Sequence, residues 1–519
     1  MGHGQACRRC ERAQVPCVFI PRANAAHPQT VRVGEPAVSR QDEAALPREA
    51  AILRRLDRIE SLIGLAEPIT PAEEESGDLG GEPDDSAWSS LWATARALQA
   101  RSADPGNVAA WKRSTIKQLW QSYYQSMPAL HFMPEKQVFT STLPILMAAI
   151  LSFTSSRGSE DVAVHFPVYY SSLCAEISAL VNPSHDDAHG EEASFQRILA
   201  ITYAALLSEG HCKITGLWIS VAYRILLEQC PPRAAPQWQK MFCGLQIVDL
   251  EHCSLHLTCP GIPFETTLSA TRAADDQLSG LSRMMHVGLT HFSGRGLPTI
   301  WSYVSNTHRT TASELLPFSG VDAAVIRDWA RQLDAWLAHF SIGPFENVTD
   351  RTAVYRQYVT HRLCVLSIYL PSRHYNLFSS DATPEERHEL LESARTTIKL
   401  HAQDTSIWSN WDLIMITWAA LIVLQAVKGR YGQPADLQAI RLHLHLLRRT
   451  HEPAPNIREM LAARLEEEMR DVREEEVVQP VVAVLDAESA HLRYPWALFE
   501  ESSLQAVDQW IPMGEGYGV

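Results

Sequence analysis

Cysteine and arginine crowd the front of the chain. In "MGHGQACRRCERAQVPCVF", Cys7, Cys10 and Cys17 stand in a CxxCx6C array, with Arg8, Arg9 and Arg12 between them and Arg22 just beyond. Thiolates two residues apart close on one zinc ion because the intervening turn points both sulfurs inward. A third thiolate six residues further on reaches the same ion across a short helix. Three ligands do not complete a tetrahedral structural site. His3 is a candidate fourth, separated from Cys7 by a short flexible stretch. The other seven cysteines, Cys174, Cys212, Cys230, Cys243, Cys253, Cys259 and Cys364, have no framework spacing, and usage of that kind suits a reducing intracellular compartment. No apolar stretch follows Met1, so no secretory signal is read there.

Elsewhere the sequence is poor in reactive patterns. It contains no GxSxG elbow, no GxxxxGK[ST] phosphate loop, no GxGxxG after a strand and no HExxH helix. Of the 21 histidines, His443 and His445 have i, i+2 spacing and fall on different faces of a helix. His252 and His256 can share a face, but no third ligand stands at convincing spacing, although Cys253 and Cys259 are near. These residues read as structural histidines and buried thiols. Trp408, Trp411 and Trp418 read as core aromatics. No catalytic residue is assigned.

The elements that carry these residues are helical. At 519 residues, 46% apolar and 20% charged, the composition is that of a globular protein with at least one large core. The formal charge of −15 argues against a surface that coats nucleic acid throughout, yet residues 1–58 hold ten arginines against six acids. Residues 66–87, "AEPITPAEEESGDLGGEPDDSA", hold eight acids and no base, with enough Pro and Gly to defeat a helix. That run reads as a solvated acidic linker. Between the two lies "REAAILRRLDRIESLIGL", where Ile52, Leu56, Ile59 and Ile63 occupy a and d positions of one stripe. Two heptads are marginal alone, so the stripe pairs either with its own chain or, as a short parallel seam, with a second copy.

From about residue 108 the apolar pattern has a helical period. "ITGLWISVAYRILLEQC" places Ile214, Leu217, Trp218, Val221 and Ile225 on one predicted buried face. "FQRILAITYAALLSEG" ends at Gly210 as a C-cap does. Further stripes occur in "AAVIRDWARQLDAWLAHF", "AVYRQYVTHRLCVLSIYL", "ERHELLESARTTIKLHAQ" and "LQAIRLHLHLLRRT". The run "WDLIMITWAALIVLQAV" contains Asp412 and Gln425 and falls short of the roughly 20 residues of a bilayer span, so it reads as a buried helix and no membrane partner is expected. The fold class expected is all-α, without a repeat of fixed period.

"QACRRCERAQVPCVF" resembles the second half of the fungal Zn₂Cys₆ binuclear cluster, in which six cysteines hold two zinc ions as two CxxCx6C halves joined by a short proline-bearing loop. Cys7, Cys10 and Cys17 match the fourth, fifth and sixth cysteines, and Arg8, Arg9 and Arg12 sit where that half presents basic residues. The order that follows is also similar: linker, short coiled coil, acidic region, long helical regulatory domain. "ALLSEGHCKITGLWISVAYRILLEQC" and "FCGLQIVDLEHCSLHLTCPGIPF" resemble the family's middle homology region. Leu250 follows Asp249 where a basic residue is common, and "TCP" stands where Gly-Arg-Pro is frequent. The resemblance implies a half cluster over residues 1–22, a linker over 23–50, a dimerisation helix over 51–65, an acidic disordered linker over 66–107, an all-α regulatory domain over 108–511 and a tail over 512–519.

Function is expected accordingly. The resemblance implies a nuclear, zinc-dependent transcription factor that binds double-stranded DNA, works as a homodimer and engages the transcription machinery. Cys7, Cys10 and Cys17 would be the metal ligands, and Arg8, Arg9, Arg12 and Arg22 the DNA contacts. The family's first half-motif, which bears the recognition helix, has no counterpart here. The alternative is therefore a truncated, DNA-independent regulator that dimerises with complete family members. A helical enzyme is a third reading, without a constellation to support it.

Overall fold

Helices succeed one another from Asp85 to Met469, and no strand occurs among the described residues. The computed structural model describes residues 85–472, apart from connections at 103–104, 126–138, 140, 181–189, 209–212, 232–235, 265–276, 306–317, 343–347, 374, 379–381, 404–407, 450–456 and 471. All of them belong to one unit, Gly81–Val519. The expected all-α class is what the structure has. Gly210 and residues 473–511 lie outside the described residues.

Sixteen α-helices are described. They are α1 (Asp85–Arg101), α2 (Arg113–Gln125), α3 (Pro144–Ser156), α4 (Glu160–Ala163), α5 (Phe166–Ala179), α6 (Glu191–Ser208), α7 (Lys213–Gln229) and α8 (Pro236–His256). There follow α9 (Gln277–Phe292), α10 (Ile300–Val304), α11 (Gly320–Ile342), α12 (Val348–Ser367), α13 (Pro384–Gln403), α14 (Asn410–Lys428), α15 (Asp436–Arg449) and α16 (Ile457–Met469). Neighbours in sequence pack on one another through most of the chain, as short connections between helices favour. Helix α14 departs from that rule. It touches α6, α8, α10, α12, α13, α15 and α16, and so joins the early helices to the late ones.

The sequence of α14 explains its place. "NWDLIMITWAALIVLQAVK" is apolar all round, and a helix of that kind is stable only where neighbours cover every face. It is the one described helix long and apolar enough to cross a bilayer, and here it is buried along almost its whole length. Trp408, Trp411, Ile414 and Trp418 lie in the core, as expected. Close approach between other helices depends on small residues. A Cβ at Gly288 of α9 would overlap the Trp329 indole of α11, so only glycine fits that crossing.

Two expectations are corrected. The helical region begins at Asp85, inside the stretch expected to be disordered linker (66–107). Leu91, Trp92, Ala95 and Leu98 of α1 are buried, and Trp88 stacks on Trp92 with ring centroids 5.8 Å apart. The acidic composition before Asp85 hid a helical stripe that starts immediately after it. Residues 66–84 lie outside the described part.

The second correction concerns α7. Trp218 is buried, but Leu217 is 62% exposed and Ile214 50% exposed, while Val221 and Ile225 are half-buried. The buried face is Thr215, Trp218, Ile219, Ala222 and Leu226, the same i, i+3, i+4, i+7, i+11 template moved on by one residue, or about 100°. Helix α7 lies between α6 and α8, and its small residues set the approach. A Cβ at Gly216 would stand 3.4 Å from the His252 Nε2 of α8. The bulkier aliphatic stripe is turned outward as a result.

The rotated face gives a paired expectation. Ile219→Ala removes a fully buried side chain and should cost about 2–5 kcal/mol, whereas Leu217→Ala should change stability by less than about 0.5 kcal/mol. Urea midpoints of the two variants check this, and a larger loss from Leu217→Ala would restore the face read from the sequence.

Candidate functional site

Polar chemistry inside the domain gathers at the N-terminus of α14. Ser409 caps the helix. Its Oγ accepts from the Asp412 N–H at 3.1 Å, and the Asp412 Oδ2 accepts from the Ser409 N–H at 3.1 Å, a reciprocal capping box. The same carboxylate oxygen accepts from the Arg356 Nη2 of α12 at 2.7 Å, with both side chains about 1% exposed. The Arg356 guanidinium also lies over the Trp408 ring, 3.5 Å from its centroid. A buried charge requires such partners, because removing an ion from water costs several kcal/mol.

The residues around Asp412 reach other helices. The Asn410 Oδ1 accepts from Arg157 Nη2 at 2.9 Å, and its amide nitrogen donates to the Leu207 carbonyl at the end of α6. Trp411 Nε1 donates to Ser254 Oγ of α8 at 3.2 Å, and Trp418 Nε1 to Ser367 Oγ of α12 at 2.9 Å. Four consecutive residues, Ser409 to Asp412, thus tie the cap of the central helix to α6, α8, α12 and the chain beyond α3.

Buried histidines surround this cluster. His401 of α13 and His443 of α15 face each other, Nδ1 to Nδ1 at 3.4 Å, and His443 Nε2 is 3.0 Å from Thr417 Oγ1 of α14. Burial holds both neutral. It lowers His401 well below the ordinary imidazole range and His443 to about 3, with the nearby Arg458 adding to the effect on both. His361, its ring tilted 35° to that of Trp411 with centroids 4.9 Å apart, is lowered by burial to about 4 although Glu251 lies 3.7 Å away. His443 is buried and His445 exposed, as their spacing requires. The partner of His443 stands 42 residues earlier, which no local pattern signals.

The segment resembling the middle homology region forms α7, α8 and the turn after α8. Asp249 is buried, and its Oδ2 accepts from the Ile262 N–H at 2.8 Å, so it fixes the turn "TCPGI" against the helix. Burial raises its carboxyl above the ordinary range, partly offset by that hydrogen bond. His252 and His256 lie with ring centroids 5.1 Å apart, and burial lowers His256 to about 4.

The described residues hold no group of metal-ligand side chains: no three His, Cys, Asp or Glu side chains stand where they could hold a metal ion. The residues assigned from the sequence, Cys7, Cys10, Cys17, Arg8, Arg9, Arg12, Arg22, Ile52, Leu56, Ile59 and Ile63, lie outside the described residues.

The cluster at α14 generates two expectations. Asp412→Leu leaves the Arg356 charge buried without its counter-ion and should cost about 3–5 kcal/mol in urea unfolding. The double variant Arg356→Met with Asp412→Leu should be more stable than the single one, and additive losses would show that the two groups are not coupled.

The histidines set the acid response. The folded state holds His361, His401 and His443 with depressed pKa values, whereas the unfolded chain titrates near 6.5. Unfolding therefore takes up protons below that pH. Stability is complete above about 6.5 and falls toward pH 4, each group steepening the fall by up to about 1.4 kcal/mol per pH unit. His443→Gln should flatten the dependence measured between pH 7 and pH 4.5; an unchanged slope would show that His443 is not held neutral.

No family model matches the chain, and neither does any curated protein or solved structure.

Proposed function

We propose that the chain is a nuclear, zinc-dependent regulator of RNA polymerase II transcription in a fungus, acting on double-stranded DNA as a homodimer. The observation that carries this reading is the order of parts in one sequence. A CxxCx6C array set among arginines comes first, then a two-heptad stripe at Ile52, Leu56, Ile59 and Ile63, an acidic run, and a large domain made only of helices among its described residues.

Each part has a physical role in this reading. Cys7, Cys10 and Cys17 hold zinc as thiolates, and a structural zinc ion supplies folding free energy that so small a segment lacks. These three donors fit one half of a six-cysteine cluster, and the thiolates of the other half have no counterpart in the sequence. Arg8, Arg9, Arg12 and Arg22 contact phosphates, which positions a protein on the duplex without reading bases. The stripe pairs two copies, and the helical domain engages the transcription machinery. A second reading, a DNA-independent regulator that dimerises with complete family members, rests on the same three-cysteine donor set.

Zinc content by elemental analysis, together with selection from a random duplex pool at one fixed salt concentration, tests the proposal. The chain as given should hold fewer than two zinc ions, and its DNA binding should be weak, steeply salt-dependent and indifferent to sequence. Adding an upstream CxxCx6C half should bring the second ion and an enriched duplex motif. Two zinc ions and an enriched motif without that addition would overturn the half-cluster reading. No enriched motif after the addition would favour the DNA-independent regulator.

A further inference from the structure

The turn that follows α8 brings two cysteines together. Leu257 takes a left-handed conformation, φ 49°, and the chain folds back so that Thr258 N–H donates to the Cys253 carbonyl at 3.2 Å. The fold-back is anchored from α9 and the residues after it. Ser293 Oγ donates to the Thr258 carbonyl at 2.8 Å, and Gly294 N–H to the Leu257 carbonyl at 3.2 Å. Cys253 Sγ then lies 3.5 Å from the Cys259 carbonyl and 3.7 Å from Asp249 Oδ1. Cys253 is buried under the turn and Cys259 is exposed on it; of the described cysteines, Cys259 alone is exposed.

We propose that Cys253 and Cys259 form a thiol–disulfide couple that exchanges with small disulfides of the glutathione class. The distance from Cys253 Sγ to the Cys259 carbonyl places the Cys259 backbone about one side-chain length from the buried sulfur. Bond formation requires the Cys259 sulfur to turn inward by rotation about its Cα–Cβ bond, because an S–S bond has a short reach. The exposed thiol reacts first. Its thiolate attacks one sulfur of the small disulfide, whose S–S bond breaks; a mixed disulfide forms on Cys259 and one small thiol leaves with the proton. Cys253 then passes its proton to the Asp249 carboxylate, and its sulfur attacks the Cys259 sulfur. The mixed S–S bond breaks, the Cys253–Cys259 bond forms, and a second small thiol departs with the proton. Two protein thiols are oxidised and one small disulfide is reduced to two thiols. The product removes the thiol contact from Asp249 and pins the turn to the helix covalently. This inference is independent of the transcription reading.

The test uses the full chain, treated with oxidised glutathione, alkylated and digested with trypsin. One tryptic peptide, residues 241–272, carries Cys243, Cys253 and Cys259, so fragmentation must assign the bond. The expected result is a peptide lacking two hydrogen atoms, with Cys243 alkylated, no retained glutathione, and full reversal by a dithiol. Cys253→Ser should retain glutathione on Cys259, and Cys259→Ser should leave Cys253 reduced. Glutathione retained on Cys259 of the unaltered chain, a bond to Cys243, or oxidation of Cys253 in Cys259→Ser would overturn the proposal. The unaltered chain decides the matter even if a variant fails to fold.

Discussion

The ion pair between Arg356 and Asp412 is the constraint on which the helical domain turns. Both groups are almost wholly removed from water, and neither is tolerable there without the other. The carboxylate also caps the helix that the rest of the core surrounds, and the guanidinium lies against the Trp408 face. One contact therefore fixes where α14 begins, how α12 lies against it and which way Trp408 points. An apolar interface tolerates small slips between helices; a buried, hydrogen-bonded pair of charges does not. The bonds from Asn410 and Trp411 to α6 and α8 extend that register to the first half of the domain.

Much of this architecture was legible in the sequence, and the limits follow from what periodicity encodes. A 3.6-residue period announces that a helix exists, as it did for "AAVIRDWARQLDAWLAHF" and "LQAIRLHLHLLRRT". It is weaker on which face is buried when a helix has apolar residues on two sides. Helix α7 is the example. Its larger aliphatic stripe suggested one face, and the fold used the neighbouring face, where Thr215 and Ala222 sit beside Trp218 and Ile219. Helix α1 was missed for a different reason, since the acidic run before it drew the linker boundary too far along the chain.

Long-range polar pairing was the least legible level. Asp412 was visible as a charge inside an apolar run, but its partner lies 56 residues away. His401 was unremarkable in its own segment and acquires meaning only opposite His443. Asp249 entered the sequence reading only as the residue before Leu250, and the structure gives it a physical task, holding the turn at Ile262. The residues assigned to zinc and DNA rest on spacing and order alone, a kind of information independent of the helical packing.

The composition of α14 has a consequence for how the protein is made. Five of its contacting helices, α6, α8, α10, α12 and α13, precede it in the chain, and two, α15 and α16, follow it. On the ribosome, the segment with the hydropathy of a membrane span emerges before the helices that cover its remaining flanks exist. During that interval it offers an apolar surface to chaperones and to the factors that sort nascent chains toward membranes. Only with α15 and α16 complete is the cover of this segment whole, so its full burial waits on the last helices of the domain.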